Sequence, residues 1–290
     1  MAGDFVLADP AGFDVVYRLN DLTTTGLPVN KERARAQWER LCGRVEEVTG
    51  RRPGVVPAAE GLPDLVFVSN AALLFRGGDS GKVAILARFA HAERQGESAV
   101  VARWLRSAGW RVVTLPEGAV YEGLGDCRWS HGGRHLWIGY GAGRTTLRGI
   151  EAVRAALVAA GRDDVTVHAL RLVSGRAYHL DLALCPFGAD RALWSPWAFA
   201  PAARTTLSRV FGPASGRGGL VAVPVRYSWA CNSVFLASGA GGALLVPRDG
   251  AEGYRAWLRS ATGLRIVEVN ISEFQKAGGG VSCMVLRGFF

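Results

Sequence analysis

The sequence predicts a mixed α/β chain folded as one closed or pseudo-symmetric domain, and three observations lead there. Apolar runs of strand length alternate with stretches of helical period. The order strand-strand-helix-strand returns several times, in modules of roughly 50 residues. Linkers between modules are short and no Pro- or Ser-rich stretch marks a boundary, so a single domain over 1–290 is expected. With 290 residues, 49% of them hydrophobic, and nine tryptophans, the chain can bury a large core. Strand ends of such a domain converge on a centre where residues distant in sequence can meet.

Taken in order, Asn30 caps a helix through Val48 that carries Ala34, Trp38, Leu41, Val45 and Val48 on one face. Strands are expected at 65–68, 72–75 and 82–86, a helix at 97–107 and a strand at 111–115. A strand at 135–139, a helix at 145–160 and strands at 165–172, 179–185 and 191–194 follow. A short helix at 202–211 leads to strands at 219–225, 233–237 and 243–246, a helix at 252–260 and a strand at 264–269. A helical turn capped by Ser272 precedes a last strand that opens at Cys283.

The formal charge of +9 comes mainly from scattered arginines with no run of five or more, which reads as a solvated surface and not as a nucleic-acid stripe. No window approaches the ~18–20 uninterrupted apolar residues of a membrane span, so no membrane partner is expected. The segment Met1-Ala-Gly-Asp-Phe-Val-Leu-Ala-Asp9 lacks the basic head of a secretory signal, and a cytoplasmic location is expected. The five cysteines (Cys42, Cys127, Cys185, Cys231, Cys283) are odd in number, widely spaced and without a C-x-x-C pair. This argues against a disulfide framework or a structural zinc site. Cys42 and Cys185 are expected to be buried small hydrophobes. Self-association is left open.

Cys283 draws attention because the stretch Ala277-Gly-Gly-Gly-Val-Ser-Cys283-Met-Val-Leu runs from a three-glycine loop into an apolar strand. Glycines allow a ligand close approach, and the strand would leave the thiol at its mouth. A nucleophilic cysteine also needs an imidazolium or a bound cation to lower its pKa. Of the five histidines, His131 and His135 flank a Gly-Gly turn and read as surface residues, His168 reads as a core histidine, and His91 lies in a charged loop. His179 alone combines a strand mouth with an acid, Asp181, two residues on and therefore on the same face.

Glu122 and Asp126 sit in a glycine-spaced turn, either solvated with Asp126 as a cap or offering acceptors to a buried planar cation, which must be met by carboxylates. Asp64 adds a third acceptor. The run Gly139-Tyr-Gly-Ala-Gly-Arg144 follows a strand and opens a helix, but reads G-x-G-x-G-R. An arginine replaces the third small residue of a dinucleotide fingerprint and would obstruct helix–strand packing there. Arg144 at a helix start could instead hold a substrate carboxylate.

Together these residues resemble the guanidino-group-modifying enzymes, specifically the dimethylarginine dimethylaminohydrolase branch and its arginine dihydrolase relatives. The matching pieces run in order from Phe13-Asp-Val-Val-Tyr-Arg-Leu-Asn20 through Pro63-Asp-Leu-Val-Phe-Val-Ser-Asn-Ala71 and Arg88-Phe-Ala-His-Ala-Glu-Arg94-Gln-Gly-Glu97. They continue with Pro116-Glu-Gly-Ala-Val-Tyr-Glu122-Gly-Leu-Gly-Asp126, Gly139-Tyr-Gly-Ala-Gly-Arg144, Tyr178-His179-Leu-Asp-Leu, Ala230-Cys-Asn232-Ser and Gly278-Gly-Gly-Val-Ser-Cys283. The resemblance implies an α/β fold of the five-bladed pseudo-symmetric propeller type, the pentein fold.

It further implies Cys283 as nucleophile, His179 as general acid/base and Glu122 as the carboxylate that orients the guanidine. Asp64 matches an acid of the substrate pocket, and Arg94 and Arg144 match arginines holding the substrate's α-carboxylate end. Asn20 and Asn70 resemble the two asparagines of the dihydrolase group, Asn70 standing where relatives that stop at a ureido product carry an acid. Asp126 and Asn232 are expected to help bind the substrate, a small-molecule guanidine, and the family needs no metal or organic cofactor. The implied activity is hydrolysis of the guanidino C–N bond of arginine or a derivative through a covalent thiouronium on Cys283.

An amidinotransferase using the same intermediate is the nearest rival. A nicotinamide-dependent oxidoreductase built on Gly139–Gly143 and an inactive guanidine-binding protein stand behind it. The sequence also departs from the family pattern. Val223-Pro-Val-Arg-Tyr-Ser-Trp229 replaces acidic residues that help bind the substrate's α-amine, position 69 is serine, and Leu7-Ala-Asp-Pro-Ala replaces a Cys-Pro-Pro run. A modified arginine is therefore an expected substrate alongside free arginine.

Overall fold

A computed structural model describes residues 5–79, 81–212, 219–237 and 242–289. The rest of the expected 1–290 domain, including the first four residues of the segment read for a leader, lies outside the described residues. The chain begins with strand β1 (Phe5–Ala8), helix α1 (Lys31–Thr49) and strand β2 (Gly54–Val56). Next come β3 (Ala72–Gly77), β4 (Gly81–Leu86), α2 (Glu97–Ser107) and β5 (Arg111–Val113). A helical turn α3 (Gly123–Asp126) leads into β6 (Cys127–Ser130), β7 (His135–Tyr140), α4 (Leu147–Ala159) and β8 (Thr166–Arg171). Then follow β9 (Leu184–Phe187), β10 (Arg191–Trp194), α5 (Pro201–Phe211) and β11 (Gly219–Ala222). After these come β12 (Val234–Leu236), β13 (Ala243–Pro247), α6 (Tyr254–Thr262) and β14 (Arg265–Val269). Turns α7 (Ser272–Gln275) and α8 (Val281–Met284) precede the final strand β15 (Leu286–Phe289).

One pairing rule recurs among these strands: an antiparallel partner, then a helix, then a parallel partner. β3, β4 and β5 follow it, as do β6–β8, β9–β11 and β12–β14. β15, β1 and β2 complete the series from opposite ends of the described chain, with Phe5 opposite Arg287 and Val6 opposite Leu286. β15 also pairs in parallel with β3, which merges two of these units into a six-stranded sheet. Each helix returns the chain to a parallel neighbour, as a parallel crossover requires. Four buried apolar clusters make up the core among the described residues, the largest of them reaching from β1 and β2 through β3 and β4 to β7 and β8. The expected repeat of strand-strand-helix-strand is thus the observed one. Among the described residues no helix is long and apolar enough to cross a membrane.

Local signals in the sequence account for the helices. The Asn30 side chain accepts from Arg33 N, and Gly50 closes α1 at φ 67°. The Thr146 side chain accepts from Gly149 N at the start of α4. That helix passes so close to the chain ahead of Glu122 that a Cβ on Gly149 would lie 1.9 Å from the Val120 carbonyl oxygen. Gly149→Ala must push the two apart, and an overpacking loss of about 1–3 kcal/mol in unfolding free energy is expected in a denaturant titration.

Several expected strands are not strands. Residues 65–68 lie in two successive 3₁₀ turns, Pro63–Val66 and Val68–Ala71. Backbone bonds here close locally, Phe67 N to Asp64 O at 2.9 Å and Asn70 N to Phe67 O at 3.1 Å, as turns do and a ladder does not. His179 precedes a 3₁₀ turn at Leu180–Leu182, and the strand expected at 179–185 begins only at Leu184. Cys283 lies inside the turn α8, three residues before β15 opens, because Ser282 N donates to the Asn232 side chain at 3.0 Å. The turn after Ser272 is not capped by that residue: Ile271 holds the cap position and Ser272 is the first helical residue. β1, β2 and β6 went unread, being three or four residues long with no clear alternation. His131 and His135, expected at the surface, are half-buried and pack with His168, Trp137 and Phe211. Cys185 is buried as expected, whereas Cys42 is only half-buried.

Candidate active site

The elements converge on a narrow cavity of about 20 Å³ lined by Asp64, Asn70, Arg94, Arg144, His179 and Cys283, together with Leu19, Asn20, Phe67, Tyr178, Ala277 and Gly279. Phe67 sits between the two 3₁₀ turns, and its ring lies against Gly279 so tightly that a Cβ there would come within 2.1 Å. Gly280 likewise abuts the Asn232 carboxamide, 2.2 Å from where its Cβ would stand. The glycine loop therefore packs against the protein's own side chains, which seats the turn carrying Cys283.

The Cys283 sulfur donates to Asp181 Oδ2 at 3.1 Å and receives the Asn232 Nδ2 and Gly280 backbone N–H groups at 3.3 and 3.4 Å. Burial pushes the thiol well above its ordinary pKa, and the Asp181 charge adds to that rise. The two N–H donors oppose it. The sequence puts Asp181 on the same face as His179, but the 3₁₀ turn carries its carboxylate to the sulfur instead. Its Oδ1 is buried without a hydrogen-bond partner. Behind it stands Arg128, unread in the sequence, which donates to Ser282 Oγ at 2.7 Å, Leu184 O at 3.2 Å and Leu124 O. Its guanidinium lies 3.6 Å from Asp181 Oδ2, the anion that a buried arginine needs.

The acid that meets His179 is Glu122, whose Oε2 lies 2.7 Å from Nε2. Glu122 also accepts from Arg144 Nη1 at 3.3 Å and from Ala90 N at 3.1 Å. Burial pushes its carboxyl up, but His179 and then Arg144 and Arg94 outweigh that and hold it well below the usual range. An ionised Glu122 requires Nε2 to carry the proton, so Nδ1 is the free nitrogen of the neutral ring. Asn70 Nδ2 faces it at 3.3 Å.

Glu122 does not line the cavity, and neither does Asp126, whose oxygens accept from Thr145 Oγ1 at 2.6 Å and Leu180 N at 3.2 Å. Burial pushes the Asp126 carboxyl up to about 6. Asp64 does line it, also raised by burial and pulled back by Arg94.

Arg94 is clamped by both oxygens of Glu97, at 2.7 and 2.8 Å, and lies over Phe89. Arg144 reaches across to Leu19 O at 2.8 Å and lies over Tyr178, whose hydroxyl donates to Gly278 O. The stretch from Gly139 to Gly143 thus ends in an arginine bound to Glu122, and helix α4 starts only at Leu147. Asn20 Nδ2 donates to Ala277 O at 3.1 Å and ties the 13–30 segment over the cavity. The arrangement places a thiol and an imidazole on one cavity, with a carboxylate fixing the orientation of the imidazole.

No family model matches the chain. Over 283 residues it is 33% identical to N(G),N(G)-dimethylarginine dimethylaminohydrolase of Mycobacterium tuberculosis, a match that takes in 98% of this chain and 85% of that protein. The chain belongs to the guanidino-group-modifying enzyme superfamily. Within that superfamily it is also 31% identical over 284 residues to the bifunctional arginine dihydrolase/ornithine cyclodeaminase AgrE of Nostoc sp., but spans only 37% of its length. The N-terminal domain of ArgZ, an arginine dihydrolase from cyanobacteria, matches in a substrate-bound cysteine-to-serine variant with a TM-score of 0.85 at 29% identity, covering 99% of both chains. An asparagine-to-serine variant of the same domain is covalently bonded to a reaction intermediate.

Proposed function

We propose that this chain is a cysteine hydrolase cleaving the guanidino C–N bond of arginine or an arginine derivative, with residues 1–290 as one catalytic domain. The observation that carries this reading is the pairing of Cys283 and His179 on one cavity, with Glu122 behind the imidazole and Asp181 on the sulfur. We also read the five repeated pairings as blades of a pentein propeller, with the site at their common centre.

Asp64 on the cavity wall offers an acceptor to a flat cation, as burying a guanidinium demands, and the unpartnered Oδ1 of Asp181 lies behind the sulfur rather than on that wall. The arriving positive charge favours passage of the Cys283 thiol proton to the free Nδ1 of His179, on the same cavity. The thiolate attacks the guanidino carbon, the C–N bond breaks, and His179 Nδ1 delivers a proton to the departing amine, leaving a covalent thiouronium. Glu122 keeps Nε2 protonated and stabilises positive charge on the ring. His179 Nδ1 then takes a proton from water, which attacks the same carbon, and the C–S bond breaks to return the thiolate. Arg94 and Arg144 line the cavity, and in this reading they meet the carboxylate of an amino-acid substrate.

Asn70 beside Nδ1 supports a second round of cleavage, in which a neutral ureido product re-enters and leaves as amine, ammonia and carbon dioxide. Incubation with L-arginine is expected to give two equivalents of ammonia and ornithine, and Asn70→Asp to halt at one equivalent with the ureido product accumulating. Mass spectrometry of quenched protein should find the adduct on the peptide holding Cys283. Turnover without that adduct, or transfer of the amidino group to added glycine or lysine in place of ammonia release, would overturn the hydrolase reading.

A further inference from the structure

Away from Cys283, and sharing no lining residue with its cavity, two adjoining depressions of about 710 and 740 Å³ meet at Arg248, Arg255 and Glu268. Arg40 and Arg44 reach the rim from α1, Arg255 and Arg259 from α6, Arg248 from the end of β13 and Arg265 from β14. All six are exposed. The two carboxylates among them are already engaged: Glu47 by Arg44 at 2.5 Å and Arg265 at 3.5 Å, Glu268 by Arg255 at 3.9 Å. Among the described residues Arg40, Arg248 and Arg259 make no side-chain hydrogen bond or ion pair.

Like charges one turn apart weaken a helix, and both flanking helices carry such a pair. Cations gathered around a concavity reinforce one another's field, so the arrangement is stabilised by an anion among them. Guanidinium forks match phosphate oxygens in pairs. Beyond Arg248 and Arg255 the second depression turns apolar along Ala251, Ala256 and Tyr254, a wall suited to an organic moiety. Both depressions fall in the ordinary size range of small-molecule sites, about 300–1,000 Å³.

We propose that this groove binds a small molecule bearing two or more phosphates, of the nucleoside di- or triphosphate class.

Calorimetric titration with ATP at low salt is expected to give one site per chain. Arg40→Ala and Arg248→Ala should each weaken it about tenfold. Arg103→Ala, an exposed arginine at another depression, should leave it unchanged. Because Arg40 and Arg248 hold no partner, both variants should melt as the unaltered protein does. Absence of ATP binding, equal loss in Arg103→Ala, indifference to both groove variants, or tighter binding of single-stranded oligonucleotides with increasing length would each overturn the assignment.

Discussion

Cys283→Ala is expected to lower guanidine turnover by roughly 10⁴-fold or more, since among the described residues lining the cavity no second thiol or serine hydroxyl stands in its place. The substitution removes one buried sulfur, so the cost in unfolding free energy should stay near about 1 kcal/mol. Ammonia release and thermal melting measured on the same preparation separate the two effects. Full turnover in the alanine variant would remove the covalent route altogether. The resting thiol also has a defined pH signature. Burial and Asp181 both favour its protonated form, so alkylation by neutral iodoacetamide should be slow at neutral pH and accelerate only as pH rises into the alkaline range. A bound guanidinium should shift that acceleration towards lower pH, because a neighbouring cation favours the thiolate.

Glu122→Gln should lower kcat by about 10²–10⁴-fold, the ordinary worth of a positioned proton carrier, while KM changes far less. That split follows from its position: Glu122 touches His179 and Arg144 but does not line the cavity. The substitution also leaves Arg144, only 5% exposed, without its anion, and a stability loss of about 3–5 kcal/mol is expected. Steady-state kinetics with L-arginine distinguish two roles for this carboxylate. A rise in KM with kcat preserved would make Glu122 a direct ligand of the guanidine and not the support of the imidazole.

The helices were the most legible part of the fold, because their signals are local. Asn30 and Gly50 bracket α1, and the expected 97–107 helix matches Glu97–Ser107 residue for residue. Chemistry-bearing segments were misread in a consistent way. Residues 65–68, the stretch after His179 and the stretch at Cys283 are short, apolar and buried, which reads as strand, yet their backbone groups are satisfied by tight turns or by Asn232. No propensity reports a partner fifty or a hundred residues away. The same gap explains Asp181: its proximity to His179 in sequence was visible, but the direction of its carboxylate depended on a 3₁₀ turn. Arg128 gave no sign at all, because its role exists only once Asp181 and Ser282 are brought beside it.

The pairing of β15 with both β1 and β3 bears on how the molecule acquires its chemistry. Contacts that bridge nearly the whole sequence carry the heaviest loop-closure entropy and are disfavoured early in folding. The sulfur is attached to the segment that makes them. An intermediate with its interior units already condensed would still lack the segment that seats Cys283 beside the cavity. Catalytic power should consequently emerge late during refolding, lagging the recovery of secondary structure.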